Sequence, residues 1–138
     1  MKYMLDTNIC VYLIRQKSLP LLTKIQSCTP GDIGISAITV AELTLGVEKS
    51  QFVVQNHRAL QQFLLPLVIA EFDHHAAAAY GRIRAELERK GTPIGSLDTL
   101  IGAHAVSLGS TLVTNNLKEF SRIMPLTIED WTIAEGTL

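Results

Sequence analysis

Cysteine is scarce in this 138-residue chain: Cys10 and Cys28 are the two thiols, far apart and outside any CxxC pair. That scarcity excludes a disulfide framework and a thiolate zinc knuckle, and reduced cysteines in the cytoplasm are the expectation. Long apolar runs are missing as well. No stretch of about 18 apolar residues is available to cross a membrane. Asp6 arrives too early for a basic segment leading into a signal-like core, so the protein is expected to stay, unanchored, where it is made. Neither sign of charge dominates, since 12 Lys and Arg stand against 13 Asp and Glu, for a formal charge of -1. There is no global pull toward a polyanion, which disfavours a non-specific nucleic-acid binder. Phosphate cradles of the GxxxxGK[ST] and GxGxxG kinds are also absent, which argues against an ATPase and a dinucleotide enzyme.

What is present reads as one folded domain over residues 1–138, with 47% hydrophobic and 18% charged residues and neither an internal repeat nor a low-complexity linker. Residues 2–6 form a strand by pattern, 8–14 a short helix that Thr7 can cap, and 19–28 a second helix with Pro20 near its start, before a turn at 29–32. Residues 33–36 are a strand, 38–48 a helix, 51–65 an apolar-patterned segment ending before Pro66, and 67–72 a third strand. After Asp73, HHAAAAYGRIRAELERK is the strongest helix signal of the chain, ended by Gly91. TPIGSLD interrupts; 97–108 is a helix stopped by Gly109, 111–114 a fourth strand, 117–120 a helical turn, and 125–128 an edge strand before a polar tail. Strands separated by helices demand right-handed crossovers, so the expected fold class is α/β, a parallel sheet with helices on both faces.

Such sheets collect ligands beyond the carboxyl ends of their strands. Asp6 falls at the end of the first strand, Asn115 and Asn116 at the end of the fourth, and Glu42 and Asp98 near the starts of helices. Each has a local alternative. Asp6 suits an Asx turn or a helix cap, Thr39 and Glu42 have the spacing of a capping box, Ser96 can cap the helix bearing Asp98, and Asn116 with Glu119 has box spacing again. Gly102 and Ala105, four and seven residues after Asp98, make a small-residue stripe that permits close packing of that helix. Thr114 can reach Asp6 if the first and fourth strands are neighbours.

Taken together these positions point to chemistry. Asp6, Glu42 and Asp98 at one rim would repel one another and raise at least one pKa unless a cation enters. Carboxylate oxygens suit Mg²⁺, with Mn²⁺ as the alternative ion. The histidines do not suggest zinc: His104 lies about 240° around its helix from Asp98 at 100° per residue, and His74 and His75 diverge, so packing, capping or surface roles are expected for all four, His57 included. Arg82, Arg84, Arg89 and Lys90, interspersed with Glu86 and Glu88, suit a solvated face of helical ion pairs, with Arg84 as the candidate for contact with a nucleic acid and Tyr80 as a packing residue or a stacking platform.

With those residues assembled, the chain resembles the PIN-domain ribonucleases, specifically the VapC toxins of bacterial VapBC toxin–antitoxin pairs. The resemblance is carried by MLDTNI at 4–9, ISAITVAELTLGVEKS at 35–50, GTPIGSLDTLIGAHAVSLG at 91–109 and LVTNNLKEF at 112–120. It implies a three-layer α/β/α PIN-like domain and an acidic pocket of Asp6, Glu42 and Asp98, supported by Thr7, Asn8 and Thr114. Many family members have a fourth acid where this chain has Asn116, a further catalytic-site candidate whose amide oxygen can coordinate weakly or hold water but adds no negative charge, so one tightly held cation, on Asp6 and Asp98, is the expectation. The resemblance further implies a cytoplasmic homodimer, silencing by a VapB antitoxin, and cleavage of RNA, with initiator tRNA cut in the anticodon stem-loop. Two other classes stay open on the residues alone. One is a Mg²⁺-dependent phosphoryl hydrolase of another kind, though Asn8 stands where an aspartyl phosphatase often has its second acid; the other is a non-catalytic RNA- or partner-binding domain whose acids merely cap helices.

Overall fold

A computed structural model describes residues 1–133. The elements run β1 (Tyr3–Leu5), α1 (Thr7–Ile14), α2 (Leu19–Gln26), β2 (Ile33–Ser36), α3 (Ala37–Glu48), α4 (Val53–Leu64), β3 (Val68–Ala70), α5 (His74–Arg89), α6 (Ser96–Leu108), β4 (Thr111–Val113), α7 (Leu117–Phe120) and β5 (Ile128–Glu129). All five strands are parallel, in the order β3-β2-β1-β4-β5. The chain winds outward from β1 through β2 to β3, then returns to the other side of β1 for β4 and β5. The order therefore reverses between β1 and β4, and the crevice beyond their carboxyl ends is where a ligand site is expected.

The three layers follow from the pleat. Met4 pairs with Leu112 and Leu5 with Val113, and successive side chains point to opposite faces. Met4 and Leu112 join the core under α5 and α6 with Ile83, Ile101 and Phe120. Leu5 and Val113 join the other core with Ile9, Leu21, Ile35 and Leu43 from α1, α2, β2 and α3. Every residue of β2 is buried, as expected of a strand covered on both faces. Each fully buried Leu, Ile or Phe of these two cores contributes on the order of 1.5–3 kcal/mol.

Element boundaries depart from expectation at the sheet edges. The third strand is confined to Val68–Ala70, because β3 has a neighbour on one side alone, and Val68 and Ile69 stay exposed despite their apolarity. The fifth strand lies at Ile128–Glu129 rather than 125–128: Pro125 has no N–H to give, and the Leu126 N–H closes a turn onto Ile123 instead. The end of the expected polar tail, 134–138, lies outside the described residues. Among the described residues no helix is long and apolar enough to cross a membrane.

The small-residue stripe on α6 is used as its spacing predicts. A Cβ on Gly102 would stand 2.5 Å from Ile123 Cδ1 and 3.6 Å from the Phe120 ring, so a hydrogen at this position lets α6 close onto α7 and the turn after it. That contact sets the height of α7 beside the first turn of α6.

Candidate active site

Asp6 leaves β1 and enters α1. Its backbone N–H donates to the Val113 carbonyl at 3.0 Å, continuing the ladder with β4. One carboxylate oxygen, Oδ1, accepts the Ile9 N–H at 2.9 Å and caps α1; the other, Oδ2, accepts the hydroxyl proton of Thr114. Thr7 is therefore the first residue of the helix and not its cap, a correction that follows from the better placed carboxylate one residue earlier. Asp6 is 3% exposed, and burial raises its pKa against the lowering effect of the hydrogen bonds from Thr114 and the Ile9 and Asn8 N–H groups, with the charge of Glu42 raising it further. Cap and site residue are the same group.

Glu42 sits one turn further into α3 than a capping box allows. Ser36 caps that helix, its Oγ accepting the Ile38 N–H at 3.0 Å, so Thr39 already lies within the first turn and the expected Thr39–Glu42 box does not form. Glu42 Oε1 instead accepts the Thr7 hydroxyl at 2.7 Å, while the Thr39 oxygen lies 3.4 Å from that of Thr7. This bond ties the first turn of α1 to α3 and holds Glu42 on the Asp6 side of the rim.

Asp98 occupies the first turn of α6. That helix starts after Gly95 without a side-chain cap, so Ser96 does not play the capping part its position suggests; the Thr99 hydroxyl reaches back to the Gly95 carbonyl at 2.8 Å. The Asp98 pKa is pushed up to about 6, first by burial, then by the charges of Glu119, Asp6 and Glu42, and by a hydrogen bond with Glu119. Asp6 follows β1, Glu42 lies on α3 and Glu119 on α7, so the three expected acids lie within electrostatic reach of one another along the rim and a fourth, Glu119, joins them.

The chain is similar to known proteins over nearly its whole length. Residues 3–124 match the family model described as PIN domain. Ribonuclease VapC2 of Haemophilus influenzae is 44% identical over 131 residues, covering 95% of this chain and 98% of the relative. The tRNA(fMet)-specific endonuclease VapC of Salmonella typhimurium is also 44% identical over 131 residues, with 95% and 98% covered. The crystal structure of DNA-bound VapBC from Salmonella typhimurium superposes with a TM-score of 0.90 at 43% identity, over 95% of this chain and 98% of that one.

The chain belongs to the PIN-domain family. Within it, the closely similar VapC toxins make this PIN domain one of the VapC group, and kinship at that level supports a ribonuclease.

The rim of this PIN domain is completed by β4 and α7. Thr114 Oγ1, while donating to Asp6, accepts the Asn116 N–H at 2.9 Å. The Asn116 side chain does not cap α7; its Nδ2 donates to Glu119 Oε2 at 3.2 Å and so orients the carboxylate that reaches Asp98. Glu119 is the acid that sequence reasoning missed as a site residue. Its spacing from Asn116 pointed to a local cap, whereas its partner across the rim is Asp98, a relation fixed by the packing of α7 on Gly102.

Asn8 stands apart from this group. It is exposed, and its part in the site is the backbone N–H that favours the Asp6 carboxylate. Arg84 is exposed on α5, where it pairs with Glu88 at 3.1 Å and donates to the Tyr80 hydroxyl, the solvated arrangement its spacing suggested. Asn115 turns the other way, its Nδ2 donating to the Tyr12 hydroxyl at 3.1 Å.

The acids do not form a finished metal cage: among the described residues, no three His, Cys, Asp or Glu side chains converge tightly enough to hold an ion. The donor chemistry nonetheless fits a hard divalent cation. It consists of carboxylate oxygens, at least two of them on groups whose proton affinity is raised by burial and mutual repulsion. Oδ1 of Asp6 accepts the Ile9 N–H and Oδ2 the Thr114 hydroxyl, and the carboxylate has lone pairs beyond those two bonds. A loose set of this kind suits an ion that keeps several of its waters.

Proposed function

We propose that this protein is a toxin endoribonuclease that hydrolyses RNA phosphodiesters with Mg²⁺, Mn²⁺ serving as the alternative ion. The observation that carries the reading is the gathering of acids beyond β1 and β4: Asp6 is held by Thr114, Glu42 by Thr7, and Glu119, oriented by Asn116, acts on Asp98. Such a gathering repels a phosphate unless its charge is offset, and four acids with no catalytic task would be costly to keep together.

Asp6 and Asp98 are the residues that would hold the ion, directly or through water. When bound, the ion supplies charge to a nonbridging phosphate oxygen and lowers the pKa of a water molecule. Thr114 fixes the plane of the Asp6 carboxylate by donating to one oxygen while Ile9 N–H occupies the other. Glu42, held by Thr7, is placed to orient the attacking water and accept its proton. In-line displacement needs water and leaving oxygen on opposite sides of phosphorus, so the two bonds that restrain Glu42 and Asp6 matter as much as their charges. Asn116 contributes no charge of its own; its part is to orient Glu119.

The substrate proposed is tRNA, with the initiator tRNA cut in its anticodon stem-loop, on the strength of the Salmonella relative described as a tRNA(fMet)-specific endonuclease. A VapB-type antitoxin as partner and a homodimer as the assembly are proposed on the likeness to the DNA-bound VapBC complex. The test is direct. Antitoxin-free protein and its Asp6→Asn variant are incubated with total cellular RNA, with and without Mg²⁺, and new RNA ends are mapped. New ends in one tRNA, made by the wild type alone and in Mg²⁺ alone, are expected; equal cutting by the variant would reject the reading.

A further inference from the structure

His104 is fully buried on α6 and takes no part in the acid set. Its Nδ1 lies 2.8 Å from the Ser36 hydroxyl, 68 positions away in the chain, and its Nε2 is enclosed without a well-formed hydrogen bond. The ring meets Phe72 edge-on, with centroids 5.1 Å apart. Burial lowers the imidazole pKa by more than the Glu71 carbonyl and the Asp73 carboxylate raise it, which keeps the ring neutral at pH 7.

The direction of the Ser36–His104 bond follows from its neighbours. Ser36 Oγ accepts the Ile38 N–H in capping α3, which leaves the serine's own proton for donation to Nδ1. A neutral imidazole that accepts at Nδ1 carries its proton on Nε2. That N–H is then buried, and the Glu71 carbonyl gives it at most a weak hydrogen bond. A phenylalanine or leucine would fill the same core position without burying two polar nitrogens, so packing alone does not account for the histidine.

What the bond joins is informative. Ser36 is the cap of α3, which bears Glu42, and His104 is in the body of α6, which bears Asp98. Among the described residues no other side-chain hydrogen bond links 36–48 to 96–108.

We propose that His104 is a positioning residue for phosphodiester hydrolysis: by accepting the Ser36 proton it fixes the offset of α3 against α6, and with it the separation of Glu42 from Asp98. The inference rests on the ribonuclease reading. A carboxylate displaced by even 1 Å from its working place costs on the order of 100-fold in rate.

The test compares His104→Phe, which keeps a ring in the core, with His104→Asn, whose Oδ1 restores an acceptor near the place of Nδ1, and with Ser36→Ala and the Ser36→Ala/His104→Phe pair. For each, kcat and KM on RNA are measured beside the melting temperature. His104→Phe is expected to lower kcat by about 10- to 100-fold with KM held and a fall in melting temperature no larger than that of Ser36→Ala, and His104→Asn to recover most of the lost kcat. The double variant should be no slower than its slower single parent, since both changes remove one bond. A His104→Phe protein with wild-type kcat overturns the proposal, as does a His104→Asn protein no faster than His104→Phe, or a loss of kcat that tracks a fall in melting temperature. If the wild type itself fails to cut RNA, the ribonuclease reading falls separately. The offset is then read from calorimetric Mn²⁺ affinity, and equal affinities for wild type, His104→Phe and His104→Asn overturn it.

Discussion

Thr114 donates its hydroxyl proton to Asp6 across 108 residues of chain, and the bond ties the ends of the two neighbouring strands between which the sheet reverses its order. The same oxygen receives the Asn116 N–H. One side chain thus fixes the innermost carboxylate and the start of the segment that delivers Glu119.

Thr114→Val keeps the shape of that side chain and removes both of its hydrogen-bonding functions. A buried carboxylate loses one of its donors and a backbone N–H its acceptor, so unfolding in urea should show a loss of about 1–3 kcal/mol. Turnover should fall by more than the stability change accounts for, because Asp6 then lacks the restraint on its second oxygen. A variant with wild-type kcat would show that the bond serves the fold alone.

The pH dependence of stability has a definite sign. Asp98 binds its proton more tightly when folded, with the pKa raised from 3.8 to about 6, so the folded state holds more protons than the unfolded across that window. Stability of the metal-free protein from this group is highest below pH 3.8 and declines as pH rises through about 6; Asp6, also raised, acts in the same direction. Asp98→Asn should therefore raise the melting temperature in EDTA at pH 7.5 and leave it nearly unchanged at pH 4. Mg²⁺ should stabilise the wild type more at pH 7.5 than at pH 5, since ion and proton compete for the same oxygens. Equal Mg²⁺ shifts at both pH values would contradict this.

Much of this was legible before any coordinates. An apolar run ending in Asp6, the alanine-rich stretch of α5, and the helix stops at Gly91 and Gly109 placed β1, α5 and α6 and implied a parallel sheet. Asp6, Glu42 and Asp98 were legible because strand ends and helix starts are where this class of sheet gathers its ligands. The rest was not local information. The reach of β3 depended on being an edge strand, and the cap of α1 on which of the adjacent Asp6 and Thr7 had the better geometry. Glu119 escaped because the same three-residue spacing describes a cap and a tether, and the choice was made by Gly102, which lets α7 approach the first turn of α6.

Glu119→Gln isolates that fourth acid. It removes the largest of the neighbouring charges acting on Asp98 while sparing the contact with Asn116. The acidic limb of the pH–rate profile should move to lower pH, and metal affinity should fall by about 10-fold if Glu119 supports the ion through water. An unmoved limb would place Glu119 outside the electrostatics of the site.

Gly102→Ala probes the docking of α7. The added methyl would meet Ile123 Cδ1 at 2.5 Å, and overpacking of this kind costs about 1–3 kcal/mol. Because the displaced segment carries Glu119, the variant should also lower the pKa of Asp98, seen as a shift of the pH–rate limb in the same direction as for Glu119→Gln. Loss of stability with an unchanged profile would separate packing from site geometry.

The central claim is that carboxylates remote in sequence meet at one mouth and are made compatible by a divalent ion. Calorimetric titration of Mn²⁺ into antitoxin-free protein and into its Asp6→Asn and Asp98→Asn variants tests it most directly. Saturable binding by the wild type, with release of protons at pH 6, and loss of that binding in each variant are the expected results. Wild-type Mn²⁺ affinity in both variants would contradict the account.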